Sequence, residues 1–213
     1  MKSPFDGISE IEKNNLFKNL KAHIYKFNKN EEISTTLNNE NVICILLCGC
    51  AHILNINYNG DEYLVEELNE NGVFGTSISD INNIEYRIKA IEDSKVLVIN
   101  YDNLIDTENI YCSSFNIFIL NLFTIINTKL KSNNNRIRIL TKKSIRDKLL
   151  AFFENEYKKS RSKFIYLPSN FKDLADYLSI NRSAMFRELK YLKEENFIKI
   201  EGKKITLLYT PIV

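Results

Sequence analysis

The sequence is poor in glycine and histidine, with six Gly and two His in 213 residues. Glycine-rich phosphate loops and His-based metal or catalytic sets need these residues at defined spacings, and the sequence has none of those spacings. A nucleophile motif is also missing. These absences predict that the chain is not an enzyme.

Long hydrophobic runs are missing as well. The most apolar stretch, "FNIFILNLFTIIN", contains three Asn and is shorter than the roughly 18 apolar residues that indicate a membrane helix. The amino-terminal "MKSPFDGISEIEKNNLF" lacks the apolar core of a signal peptide. We therefore expect a cytoplasmic protein without membrane contact, in which the four Cys are reduced thiols.

Charged residues are distributed unevenly, although the formal net charge is only +2. From Arg136 onward there are 18 Lys and Arg against 9 Asp and Glu, whereas the preceding part has 11 against 18. This asymmetry indicates that the carboxy-terminal part binds a polyanion. A solvated basic surface without a partner is the alternative.

Short β segments are predicted over residues 30–101. "VICILLCGCAHILNINYNG" is rich in β-forming residues, Asn59-Gly60 predicts a type I′ hairpin turn, and "EYRIKAIEDSKVLVINY" predicts two further strands. Strands this close in sequence predict an antiparallel barrel or sandwich. We expect a preceding helix to pack on this β unit through five apolar residues: Ile8, Ile11, Leu16, Phe17 and Leu20.

From about Asn109 the apolar residues recur at helical steps of three and four. The apolar stripe is too wide for one partner surface, which predicts that the helix buries two sides, one on the β unit and one on its copy in a second subunit. The residues assigned to this dimerisation helix are Phe115, Phe118, Ile119, Leu122, Ile125 and Ile126. A single buried helix in a monomer is the alternative. The polar and then basic segment 132–141 is predicted to be the helix end and a hinge.

The segment "LADYLSINRSAMFRELKYL" contains two short helical patterns separated by Ser-Ile-Asn. Asn170 and Asn181 are the predicted N-caps of the two helices. The second helix has Met185, Leu189 and Leu192 on one face and its polar and charged side chains on the other. A short connection between two such helices predicts a helix-turn-helix unit, whose second helix enters the major groove of DNA.

The outer face of that second helix has the chemistry of base recognition. Arginine can donate two parallel hydrogen bonds to guanine, serine can bond to a base or a phosphate, and phenylalanine can contact a thymine methyl group. The residues assigned to base reading are Arg182, Ser183, Phe186 and Arg187. A generic helical hairpin with a basic solvent face is the alternative.

The segment "NFIKIEGKKITLL" predicts two strands around Gly202, which would form a wing beside the helices. Lysines at the tip of such a hairpin are placed to meet the DNA backbone. The residues assigned to phosphate contacts are Asn170, Lys172, Lys190, Lys203 and Lys204.

The segment "LADYLSINRSAMFRELKYLKEENFIKIEGKKITLL" resembles the carboxy-terminal domain of the Crp/Fnr superfamily, the catabolite-activator-type bacterial regulators. The matching positions are Leu174, Ala175, Leu178, "NRSAMFREL", Leu192, Asn196, Ile198 and Gly202-Lys203. Earlier in the chain, Gly49 after "ICILLC" and the segment "ENGVFGTS" are similar to glycine-bearing turns of the family's β-roll. The resemblance implies an α+β fold with an antiparallel, jelly-roll-like β-roll, a long dimerisation helix and a winged helix-turn-helix.

The domains implied by the resemblance are a β-roll sensor similar to cyclic-nucleotide-binding domains (1–108), a dimerisation helix (109–137) and a DNA-binding domain (138–213). The implied function is transcription regulation by a homodimer that binds a palindromic operator in double-stranded DNA, with RNA polymerase as a further partner. Two positions depart from the family: many members have Glu where Ser183 stands, and Gly is frequent where Ser179 stands. A ligand-sensing module without specific DNA binding is the alternative.

The resemblance places an effector pocket near Gly75, Thr76 and Arg87. Members that bind cyclic nucleotides have a Glu after the glycine of the phosphate turn and then an Arg-Ser pair. Here Thr76 follows Gly75, and the pair corresponds approximately to Ile84-Glu85. A carboxylate at this position would repel a phosphate, so cyclic AMP is not the expected effector.

The identity of the effector or cofactor stays open. Haem held by His23 or His52, another small effector, and redox sensing through the four Cys are the alternatives. However, the Cys spacing fits no cluster-binding loop, and buried Cys and ordinary His are the commoner cases. No metal site is therefore predicted.

Overall fold

The computed structural model describes residues 2–34, 37, 41–76, 86–106, 112–167 and 171–211. The chain divides into two compact units, Met1–Thr128 and Lys129–Val213. The first is mainly β and the second mainly α, which confirms the α+β class.

Two antiparallel sheets form the centre of the first unit. One has the strand order β1-β7-β2-β5 and the other β4-β3-β6. The strands are β1 His23–Phe27, β2 Val42–Cys48, β3 Ala51–Ile56, β4 Glu62–Leu68, β5 Val73–Phe74, β6 Tyr86–Ala90 and β7 Ser94–Asn100. The predicted segments around β2, β3, β4, β6 and β7 are confirmed. β1 precedes the region assigned to strands and was not predicted.

β2 lies between two apolar layers. Leu46 packs with residues of the other sheet such as Ile53 and Ile88, and this cluster is the core between the sheets. On the opposite face, Ile43 and Ile45 pack with helices. These helices are α1 (Glu10–Asn19) and the first part of α3 (Ser113–Leu140), while the short α2 (Tyr101–Ile105) follows β7.

α1 is the predicted amino-terminal helix. It begins at a capping box in which the Ser9 side chain accepts from the Glu12 N–H and the Glu12 carboxylate accepts from the Ser9 N–H. Leu16 and Leu20 are fully buried, as expected. Ile11, however, is 77% exposed, so its assignment to the packed face was wrong.

The hairpin between β3 and β4 is confirmed, but its turn is not type I′. That type needs positive φ at both central residues. Gly60 has φ +86°, whereas Asn59 is not among the residues with positive φ. The Gly60 N–H donates to the Asn57 carbonyl (2.9 Å), and the Asn57 N–H donates to the Asp61 carbonyl (3.0 Å). The loop is therefore longer, with the glycine in the left-handed position that closes it.

α3 is 28 residues long and continues to Leu140. The segment 132–141, predicted to contain the helix end and a hinge, is therefore almost entirely helical. Ile139, near the helix end, is buried in the core of the second unit. The polar side chains of "SNNN" did not end the helix, because exposed Asn and Ser lower helix propensity by only a few tenths of a kcal/mol each.

The second unit contains α4 (Ile145–Ser160), α5 (Phe171–Tyr177), α6 (Arg182–Glu194) and a sheet with the order β8-β10-β9. The strands are β8 Phe164–Tyr166, β9 Ile198–Glu201 and β10 Lys204–Leu207. One apolar core joins the helices to the sheet, with Leu149, Phe153 and Ile205 fully buried. Among the described residues, no helix combines the length and the apolar content that a membrane span requires.

Candidate nucleic-acid interface

The turn between α5 and α6 is fixed by backbone hydrogen bonds. The Ser179 N–H donates to the Asp176 carbonyl and the Ile180 N–H donates to the Ala175 carbonyl, both at 3.0 Å. Ser179 has φ +50°, the left-handed conformation in which glycine is least strained. Asn181 then caps α6, because its side-chain oxygen accepts from the Ala184 N–H at 3.1 Å. The predicted Ser-Ile-Asn turn and the Asn181 cap are confirmed.

The inner faces of the two helices pack together as the spacing predicted. Six residues of this region are buried in one cluster: Leu174, Ala175, Leu178, Met185, Leu189 and Leu192. Ala175 is 1% exposed, and its small side chain lets the helices approach closely. This packing leaves the opposite face of α6 in solvent.

Arg182, Ser183, Arg187 and Lys190 are all exposed on α6. Arg187 has no ion pair within the described part of the chain, so its five N–H donors face solvent. Lys190 lies 3.7 Å from the Glu194 carboxylate one turn later. The face therefore carries two guanidinium groups and one partly neutralised ammonium.

Phe186 lies among these cations and is 41% exposed. One side of its ring contacts Phe171 of α5, with 5.4 Å between ring centroids. The Arg182 guanidinium lies 5.7 Å from the same ring, within the range of a cation–π contact. Phe186 thus connects α5 to α6 and supports Arg182, while part of its ring stays accessible.

Arg146 of α4 holds the back of α6 through two carboxylates. Its guanidinium donates to Glu195 through both terminal nitrogens, one at 2.9 Å, and lies 3.5 Å from Glu188. The hydrogen bond from Arg146 lowers the pKa of Glu195, and Glu195 raises the pKa of Arg146. Lys148, also on α4, donates to the Leu178 carbonyl at 3.2 Å. These contacts join residues distant in sequence, so the helical spacing gave no signal for them.

The strands after α6 form the predicted hairpin. β9 and β10 pair in register from Lys204↔Glu201 to Leu207↔Ile198, and Gly202 at the tip has φ +59°. Lys203 is exposed, whereas Lys204 is half-buried with its ammonium 4.4 Å from the centroid of the Phe164 ring. Lys172 is exposed on α5. Asn170, assigned as an N-cap and a phosphate contact, lies outside the described residues.

No protein-family model matches the chain. Among curated proteins, "Putative HTH-type transcriptional regulator ycf28" of Porphyra purpurea is 24% identical over 195 residues, which cover 89% of this chain and 79% of that protein. The relative's printed name agrees with the helix-turn-helix observed here.

Solved structures reproduce the same order of elements. CprK complexed with OCPA is 17% identical, with a TM-score of 0.65 over 91% of this chain and 89% of that chain. A CooA mutant from Carboxydothermus hydrogenoformans is 19% identical, with a TM-score of 0.58 over 92% and 86%. The Thermus thermophilus catabolite activator protein is 15% identical, with a TM-score of 0.51 over 96% and 93%. The chain has the fold of the Crp/Fnr transcription regulators.

In this Crp/Fnr fold, the residues assigned to the dimerisation helix fall into two groups. Phe115, Phe118 and Leu122 are buried in the core of the first unit, so packing within one chain already covers them. The other three, Ile119, Ile125 and Ile126, are half-buried. The exposed apolar side chains of α3 are Ile117, Leu120, Phe123, Leu130 and Ile137, none of which was in the assigned set. The wide stripe was the correct signal, but it did not show which side packs inward.

The residues assigned to an effector pocket have structural contacts. At Gly75, with φ +129°, a Cβ atom would lie 2.3 Å from the Val42 carbonyl oxygen, so the glycine permits the close approach of β5 to β2. The Thr76 hydroxyl accepts from the Val42 N–H at 2.8 Å. The Arg87 guanidinium lies 3.8 Å from Glu32 and 3.5 Å from Glu62. Ile84 and Glu85 lie outside the described residues.

All four Cys are free thiols. Burial raises the pKa of Cys44 to about 12, which keeps this thiol protonated and unreactive. A hydrogen bond with Ser114, 3.0 Å away, lowers the pKa of the half-buried Cys112. Burial, followed by the charges of Glu67 and Glu92, raises the pKa of Cys50. These differences separate one core thiol from three accessible ones.

Proposed function

We propose that the chain is a sequence-specific transcription regulator that binds a palindromic operator as a homodimer. The observation that carries this proposal is the outer face of α6, where Arg182, Ser183 and Arg187 are exposed immediately after the Asn181 cap. A capped helix with guanidinium groups in its first two turns matches the chemistry of guanine recognition in the major groove.

The contribution of each α6 residue follows from its surroundings. Arg187, without an ion pair among the described residues, is the best candidate for a bidentate bond to guanine. Arg182 is oriented by Phe186, and the accessible part of the Phe186 ring can contact a thymine methyl group. Ser183 in place of a family Glu removes an acceptor for cytosine, so the operator should differ from that of Glu-containing members.

Phosphate contacts are proposed at the edges of this face. Lys203 at the hairpin tip and Lys172 on α5 are exposed, and Lys190 must leave Glu194 to meet a phosphate. Lys204 has its ammonium over Phe164 and would contribute a weaker contact. Asn170 completes the proposed set. Binding through these groups should weaken steeply with salt.

The dimer is proposed to form along α3. Leu120 and Phe123 are 66% and 64% exposed, which is unusual for apolar side chains on a helix with one side already in a core. Leu130 and Ile137 follow Phe123 at seven-residue steps, the repeat of a two-helix seam. Two copies would place their α6 helices about one DNA turn, ~34 Å, apart.

The proposed domains are a sensor over 1–108, a dimerisation helix over 109–137 and a DNA-binding domain over 138–213. The sensor is not expected to bind cyclic AMP, because Arg87 is paired with two carboxylates and Thr76 replaces the family Glu. We expect the regulator to act in the cytoplasm with RNA polymerase.

Selection of bound fragments from genomic DNA tests the proposal directly. The expected result is an inverted repeat whose half-sites are one DNA turn apart, bound with a steep salt dependence in fluorescence anisotropy. Binding that ignores sequence, or a motif without two-fold symmetry, would contradict it.

A further inference from the structure

Three metal-ligating side chains converge in the first unit, on elements without a part in the proposed DNA contacts. Cys50 and His52 lie two residues apart at the start of β3, so they point to the same face of the sheet. Glu67 of β4 is the register partner of His52. The Cys50 sulfur, a His52 ring nitrogen and a Glu67 carboxylate oxygen all lie within 4.8 Å of one another.

These distances are close to those of a loaded metal site. Zinc bond lengths to sulfur, nitrogen and oxygen in tetrahedral geometry separate the ligand atoms by about 3.3–3.6 Å. His52 Nε2 and Glu67 Oε2 are already 3.4 Å apart. An adjustment of about 1 Å by the Cys50 side chain would complete the set.

The surroundings orient two of the three ligands. The Asn69 amide donates to Glu67 Oε1 at 3.3 Å, which leaves Oε2 facing His52. The Cys50 carbonyl accepts from the Ile91 N–H at 2.8 Å and from the Ser94 hydroxyl at 3.4 Å, so the backbone of Cys50 is fixed. Outer hydrogen bonds of this kind hold ligands in place before the metal arrives.

Access and charge also suit a cation. Cys50 and His52 are half-buried and the Glu67 side chain is 55% exposed, so a fourth position is open to water. A Cys50 thiolate and the Glu67 carboxylate together balance a divalent ion, and binding releases the thiol proton. Lys89 on β6 is the other register partner of His52 and the basic residue nearest to it in the sheet.

We propose that Cys50, His52 and Glu67 bind one divalent transition metal ion, for which Zn²⁺ matches the mixed S, N and O ligands. Bound metal would join β3 to β4 across their shared register. Sequence analysis predicted no metal site, because the third ligand comes from a neighbouring strand and the usual short-range motif is absent.

The test is titration of the purified, reduced full-length chain with Co²⁺, followed by displacement with Zn²⁺ in the presence of a competing chelator. We expect one Co²⁺ per chain, with thiolate-to-metal charge-transfer absorption and the intense visible bands of four-coordinate cobalt. C50S should remove the charge-transfer band. C50S, H52A and E67Q should each weaken Zn²⁺ binding at least 10–100-fold, because loss of an outer hydrogen bond alone costs roughly that much.

Matched controls separate this site from adventitious binding. C48S and H23A remove a thiol and an imidazole of the same unit outside the cluster and should leave affinity and spectrum unchanged. Circular dichroism checks that each variant folds, and E67Q, at an exposed position, keeps the test valid if C50S does not fold. Absence of stoichiometric uptake, a six-coordinate spectrum, or equal loss in C48S and C50S would overturn the proposal. None of these readouts requires DNA, so they are independent of the proposed function.

Discussion

Arg187 and Lys203 are both exposed cations of the second unit, but they lie on different elements and should contribute differently. Arg187→Ala is expected to cost about 1–3 kcal/mol of specific binding and to relax base choice at one operator position. The measurement is selection from a randomised operator, followed by anisotropy titrations. Lys26→Ala, which removes one exposed positive charge from β1, is the control and should leave the base preference intact. An unchanged preference in Arg187→Ala would refute its base-reading role.

Lys203→Ala should weaken binding to all sequences alike. Gly202 places Lys203 at the hairpin tip, where the expected partner is a phosphate. Loss of one phosphate contact should reduce the slope of log affinity against log salt by about 1. Titrations at several salt concentrations, on operator and on unrelated DNA, measure this slope. A loss confined to the operator would show that Lys203 contacts a base instead.

At the scale of the element, the turn between α5 and α6 contains a strained residue. Ser179 has φ +50°, which costs a non-glycine residue roughly 1–2 kcal/mol, while glycine costs about 0.5–1 kcal/mol in lost chain entropy. Ser179→Gly should therefore stabilise the chain by about 0.5–1 kcal/mol in urea unfolding. Ser132→Gly, inside α3, should destabilise it by about 0.5 kcal/mol. The same sign for both substitutions would contradict the strain argument.

The contact between α4 and α6 should make stability depend on pH. Arg146 lowers the pKa of Glu195 below its ordinary value of about 4.3. A carboxylate with a lowered folded pKa stabilises above its unfolded pKa, and this contribution is lost as pH falls through the folded value. The urea midpoint of Glu195→Gln should thus lie below that of the natural chain at pH 6 and converge with it in acid. Glu194→Gln, which leaves Arg146 its partner, should not reproduce that pattern.

Local patterns determined which elements the sequence could predict. The period of α6 separated Leu189 from Arg187, and Asn181 marked the helix start, because both signals act within a few residues. The contact of Arg146 with Glu195 joins two distant segments, which no local pattern reveals. For α3, an all-round apolar stripe left the inward side undetermined until Phe118 was seen in the core and Phe123 in solvent.

At the scale of the whole molecule, the exposed apolar side of α3 should determine the mass in solution. Phe123→Glu places a charge where two helices are proposed to meet, and burying an unpaired charge is costly. We expect the natural chain to have the mass of a dimer by light scattering, and Phe123→Glu that of a monomer with reduced operator affinity. Leu64→Glu, a similar change at an exposed position of β4, should remain dimeric. A monomeric natural chain would refute the dimer.

β2 has apolar neighbours on both of its faces, so the alternation of polar and apolar residues that normally sets the alignment of a strand is missing. Two local irregularities take over this task. The pairing with β7 shifts between Leu46 and Cys48, and Gly75 allows β5 to approach the Val42 carbonyl more closely than any side chain would permit. A single methyl group at position 75 would therefore misalign the central strand and disturb the apolar layers on both of its sides.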